Sequence, residues 1–148
     1  MLVADAMTTL TLELGPGHTL RRAAECMTER RVGAAVVSDP DGAGPGIITE
    51  RDILRALGSG LDVDAELVGE HASTDVVYAA PEWSLDDAAA AMVEGGFRHL
   101  VVMRGSELAG IISVRDISRA WAQERGVLER RRGGVAAEEH DEAVVGTA

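Results

Sequence analysis

The heptapeptide Gly46-Ile47-Ile48-Thr49-Glu50-Arg51-Asp52 returns 64 residues later as Gly110-Ile111-Ile112-Ser113-Val114-Arg115-Asp116, identical at five of seven positions and with Ser for Thr at a sixth. A repeat at fixed offset constrains the architecture before any single element is read, because each copy is one supersecondary unit that must share a core with its neighbour. Each copy reads as a short apolar strand, a hydroxyl residue at the turn, and a helix whose first turn carries Arg-Asp. The surroundings recur as well. Val68 answers Val3, Thr74 answers Thr9 and Pro81 answers Pro16, all at an offset of 65. Ser84 repeats the helix cap at Thr19, and Leu85, Ala88, Ala89 and Met92 repeat Leu20, Ala23, Ala24 and Met27. The offset falls to 64 across the second hairpin, which is one residue shorter, and length changes belong in loops.

In chain order, residues 1–9 are expected to form a short helical lead-in, and Thr11-Leu12-Glu13-Leu14 alternates as a strand. A helix is expected after Thr19, then strands at Ala34–Val37 and Gly46–Ile48 around the turn chemistry of Ser38–Pro45. The spacing next predicts a helix from Glu50 to about Leu57, with Ile53, Leu54 and Leu57 apolar. Residues 61–67 are expected to bridge the halves with a short helix. In the second half, His99–Met103 and Leu108–Ile112 are the paired strands, and Ile117, Ala120 and Trp121 mark one side of a helix from Val114. The expected division is repeat one over 1–60, repeat two over 61–125, and a flexible acidic tail over 126–148.

Composition excludes several functions. A formal net charge of −11 argues against a nucleic-acid groove, which needs a basic stripe. All fourteen basic residues are arginines, so a pocket lined by a few of them stays open. No apolar run reaches the ~20 residues that span a bilayer, and the start lacks the basic residues of a secretory signal, so a soluble cytoplasmic protein with no membrane partner is expected. The single cysteine, Cys26, permits no intramolecular disulfide. His18, His71, His99 and His140 lie far apart in sequence, and no metal site is expected.

Each half has the order strand–helix–strand–strand–helix and ends in Gly, two apolar residues, Ser or Thr, two variable residues and Asp. This resembles the CBS domain, and the tandem over residues 1–122 resembles the CBS pair, or Bateman module. The resemblance implies an α/β (α+β) fold whose two sheets pack face to face about a pseudo-twofold axis. It implies a homodimer formed through helices, and Trp121 is either core cover or a contact in that dimer. It also implies two clefts between the repeats that take an adenosine-containing regulatory ligand such as AMP, ADP, ATP, S-adenosylmethionine or NAD, with no required cofactor. Carried over residue by residue, Asp52 and Asp116 would hold ribose, with Thr49 and Ser113 near phosphate or ribose. The cleft at Asp116 would be completed by Thr11-Leu12 and Val32-Gly33-Ala34. The cleft at Asp52 would be completed by Val76-Val77-Tyr78 and Phe97-Arg98, with His99 beside them.

The motif suits such a ligand on chemical grounds. A carboxylate can accept from both ribose hydroxyls in charge-assisted bonds, and a helix N-terminus offers free N–H groups to phosphate. The same residues also make plain helix caps, worth about 0.5–2 kcal/mol with no ligand at all. Arg98 and His99 face Gly33 and Ala34 as repeat equivalents, so the two clefts are unequal and one phosphate subsite is expected rather than two. The leading function is a non-catalytic sensor acting on an unknown effector protein. The alternative is a ligand-free dimeric scaffold whose motifs serve only as caps. No nucleophile–base constellation or phosphate loop points to an enzyme.

Overall fold

A computed structural model describes residues 1–42 and 44–128. Repeat one contributes α1 (Val3–Ala6), β1 (Glu13–Leu14), α2 (Leu20–Arg30), β2 (Ala34–Val37), β3 (Gly46–Thr49) and α3 (Glu50–Gly58). Repeat two contributes α4 (Val68–His71), β4 (Tyr78–Ala79), α5 (Leu85–Gly95), β5 (His99–Arg104), β6 (Glu107–Ser113) and α6 (Val114–Glu124). The strands form two three-stranded sheets, ordered β1-β2-β3 and β4-β5-β6, each with one parallel and one antiparallel pairing.

The central strands are apolar over Ala34–Val37 of β2 and Leu100–Val102 of β5, where both faces are covered. In β2, Ala35 and Val37 join the core under α2 and α3, while Ala34 and Val36 face the other sheet. In β5, Leu100 and Val102 pack under α5 and α6, while Val101 faces the first sheet. Ala34, Val36, Ile47 and Val101, with Val76, Tyr78, Met103, Leu108 and Ile111 beside them, form the layer between the sheets. These side chains pack the two sheets together face to face.

The two lead-in segments are exchanged between the repeats. Val3 of α1 is fully buried in the core of repeat two, with Leu85, Met92 and Ile117. Val68 of α4 is fully buried in the core of repeat one, with Leu20, Met27 and Ile48. Backbone bonds fix both at equivalent places: Val3 and Ala4 N–H donate to Trp83 and Pro81 carbonyls, and Val68 and Gly69 N–H donate to His18 and Pro16 carbonyls. Thr8 then pairs with Ile111 of β6, and Ser73 pairs with Ile47 of β3, each through two reciprocal N–H···O bonds. The pseudo-twofold relation implied by the resemblance thus extends to individual hydrogen bonds.

This exchange explains the motif glycines. A Cβ on Gly46 would come within 2.7 Å of the Ser73 carbonyl oxygen, and a Cβ on Gly110 would overlap that of Thr8. The crossing backbone leaves room only for hydrogen.

Several expectations are corrected. Residues 61–67 form no helix; Asp62–Glu66 is a turn, and the short helix begins at Val68, where it can bury that side chain. The first strand is confined to Glu13–Leu14, with Thr11 and Leu12 leading into it. On α3, Ile53 packs against the core of repeat one and Ala56 is buried, while Leu54 and Leu57 are 67% and 60% exposed. Trp121 is half-buried against the core of repeat two, one of the two roles left open for it. Of the expected tail, residues 129–148 lie outside the described residues.

Candidate functional site

Each strand–helix junction is locked by its own motif. The Thr49 N–H donates to Asp52 Oδ2 at 2.8 Å, the Thr49 hydroxyl donates to the same oxygen at 3.1 Å, and the Asp52 N–H donates back to Thr49 Oγ1 at 3.4 Å. In the second copy the Ser113 N–H donates to Asp116 Oδ2 at 2.8 Å and the Asp116 N–H donates to Ser113 Oγ at 3.1 Å. Both motifs are therefore complete capping boxes. The cap consumes one carboxylate oxygen and leaves Oδ1.

The free oxygens differ. Asp116 Oδ1 has Arg119 Nη1 at 3.9 Å. Arg55, the repeat equivalent of Arg119, makes no such pair with Asp52 among the described residues; it lines a hollow that opens beside Asp52. That hollow measures about 800 Å³, within the range of small-molecule sites. Ile47, Val76, Val77, Phe97 and Val101 supply its apolar wall. Thr49, Asp52, Arg51 and Arg55 come from the end of β3 and the first turns of α3, and Arg98 and His99 from the head of β5 in the other repeat. Glu50, Ser73 and Asp75 complete the polar rim.

Strand alternation sets Arg98 and His99 in different parts of the hollow. Leu100 points to the helix side, so His99 lies on the inter-sheet face, half-buried, while Arg98 stands exposed at the mouth. Burial holds the His99 imidazole below its ordinary value; the nearby Glu50 and Asp116 carboxylates oppose that shift and Arg98 adds to it.

Of the sequence candidates, Thr49, Asp52, Val76, Val77, Phe97, Arg98 and His99 meet in this hollow. The others lie outside its lining. Tyr78 packs in the inter-sheet layer and spends its hydroxyl on the Pro45 carbonyl at 2.6 Å. Leu12 is buried in the core of repeat one, and Thr11 is half-buried beside it. Val32 is exposed after α2, Ala34 is buried between the sheets, and Gly33 makes room for the Glu50 carboxylate, which a Cβ there would meet at 3.0 Å. Ser113 and Asp116 stand at the other junction. As lining residues, the sequence reading missed Glu50, Arg51, Arg55, Ser73 and Asp75. Arg51 and Arg55 are spaced i,i+4 on the motif helix, a signal that could have placed both on one face.

A family model for the CBS domain matches residues 3–59 and again residues 68–123. The chain belongs to the CBS-domain family. Its two repeats make a CBS pair, a kind of module that is generally regulatory and non-catalytic. The CBS domain-containing protein YhcV of Bacillus subtilis is 35% identical over 117 residues, covering 78% of this chain and 82% of that protein. The CBS pair is similar in structure to a hexameric CBS-CP12 protein from bloom-forming cyanobacteria, with a TM-score of 0.78 and 24% identity, covering 90% of this chain and 83% of that one. It is likewise similar to the CBS domain pair of protein MJ0100 in complex with 5-methylthioadenosine and S-adenosyl-L-methionine, with a TM-score of 0.75 and 22% identity, covering 84% of this chain and 98% of that one. At these identities the two structural likenesses concern the fold. No described helix is long and apolar enough to cross a membrane.

Proposed function

We propose that this CBS pair is a non-catalytic cytoplasmic sensor that binds one adenosine-containing ligand in the hollow beside Asp52. The observation that carries the reading is the meeting, in one inter-repeat hollow, of a capped Asp52 with an unused oxygen, three arginines and an apolar slot. Asp52 Oδ1 would accept from a ribose hydroxyl. Arg98, Arg51 and Arg55 would face phosphate or another anionic group, and Val76, Val77 and Phe97 would flank the base. The bound state of MJ0100 supports the ligand class. Because the hollow takes walls from both repeats, a ligand favours the arrangement that closes it, and the response is a shift of population toward that arrangement. Leu54 and Leu57, exposed on α3, support association through helices into a homodimer that would present the signal to an effector protein.

The second reading is a ligand-free dimeric scaffold. It is supported by the capping boxes, which give both motifs a structural reason to exist. Thermal unfolding with AMP, ADP, ATP, S-adenosylmethionine and NAD separates the two readings. A ligand at 100 times its dissociation constant stabilises the fold by about 2.7 kcal/mol, so at least one should raise the melting temperature measurably. No shift with any of the five would favour the scaffold.

A further inference from the structure

Away from the hollow, the loop before α4 and the end of that helix bring Glu66, Glu70 and His71 together. One donor atom from each lies within 4.8 Å of the other two, and His71 Nε2 stands 2.8 Å from Glu66 Oε2. The side chains of His71 and Glu66 are 20% and 25% exposed, while Glu70 opens to solvent. The segment is rigid where it matters. The Glu66 carbonyl accepts from Leu20 N–H at 3.0 Å, the Val68 and Gly69 N–H groups donate to His18 and Pro16 at 2.8 and 2.9 Å, and Ala72 N–H closes the helix onto Val68. Gly69 sits so close to Pro16 that a Cβ would meet the proline ring at 2.7 Å. The donors are thus carried on backbone pinned to repeat one.

The fold does not require this trio. The equivalent positions of the other exchanged lead-in are Met1, Asp5 and Ala6, and α1 docks on its core by the same backbone bonds without them. Asp5 serves there as a cap, accepting from the Leu2 N–H at 2.8 Å. Two carboxylates and an imidazole at the copied position are therefore an addition to the repeat plan. One nitrogen with two oxygens is a donor set for a borderline divalent ion.

We propose that Glu66, Glu70 and His71 form a divalent-cation site of the zinc class, one per chain, with its remaining position open to water. Bonds of about 2.0–2.2 Å would draw the three donors closer than they now stand, which modest side-chain rotation achieves. The imidazole sets the preference for zinc over magnesium, which favours oxygen donors alone.

The test is calorimetric titration of the chelator-stripped full chain, free of any purification tag, with zinc chloride and separately with magnesium chloride. Saturable uptake of one zinc ion per chain is expected, with no comparable magnesium binding. Glu70→Gln and His71→Gln should each weaken zinc at least tenfold. Glu70 is exposed, so its variant keeps the fold even where His71→Gln perturbs it. Absence of saturable zinc binding, or zinc affinity unchanged in Glu70→Gln, would overturn the proposal and leave a His71–Glu66 structural pair.

Discussion

At the scale of the residue, the twin motifs do the same structural work and differ in what is left over. Thr49 and Ser113 each close a capping box, but Arg119 stands against the spare oxygen of Asp116 whereas Arg55 faces the hollow beside Asp52. His99 has no titratable counterpart, since its repeat equivalent is Ala34. Its proton balance gives a signed expectation. Burial lowers its folded value, so in acid the unfolded chain takes up this proton first. Above its ordinary value of 6.5 both states are neutral and His99 adds no pH dependence. As pH falls through 6.5 toward the lower folded value, the fold loses stability. Urea unfolding at pH 7.5 and 5.5 should show a larger loss in the wild type than in His99→Gln. Equal losses in the two proteins would contradict the buried neutral imidazole.

At the scale of the element, sequence periodicity located what local chemistry decides. The helices after Thr19 and Ser84 begin where their caps stand, and β2 lies where the small apolar run predicts it. Contacts distant in sequence were not legible. Four-residue helices such as α1 and α4 carry too little periodicity to show which core receives them, and their exchange is fixed by bonds to Trp83, Pro81, His18 and Pro16. The exposure of Leu54 and Leu57 on α3, and the diversion of Tyr78 to Pro45, were likewise not legible from periodicity. The exchange makes a test possible. Both tryptophans, Trp83 and Trp121, lie in repeat two and pack against the core that receives Val3. Val3→Ala should cost about 1.5–3 kcal/mol and lower the midpoint of the tryptophan-fluorescence transition, although residue 3 opens repeat one. An unaltered midpoint would mean that α1 does not hold that core.

At the scale of the whole molecule, duplication supplies two junctions, and packing makes them unequal. The hollow forms where repeat one gives Asp52, Arg51 and Arg55 and repeat two gives Phe97, Arg98 and His99. The pair of motifs was legible in the sequence because both copies survive nearly intact. The inequality was only partly legible, through Arg98-His99 against Gly33-Ala34, because Arg119 and Arg55 are the same residue type at equivalent positions and separate only by how their side chains turn. Calorimetric titration of AMP and ATP into the wild type, Asp52→Asn and Asp116→Asn tests the central claim most directly. Asparagine keeps an acceptor for each cap while removing the charge. The expected result is binding of AMP or ATP that Asp52→Asn weakens by about 1.5–3 kcal/mol, roughly 10- to 150-fold, and that Asp116→Asn leaves unchanged. Binding of neither nucleotide, or equal affinity in the wild type and Asp52→Asn, would contradict it.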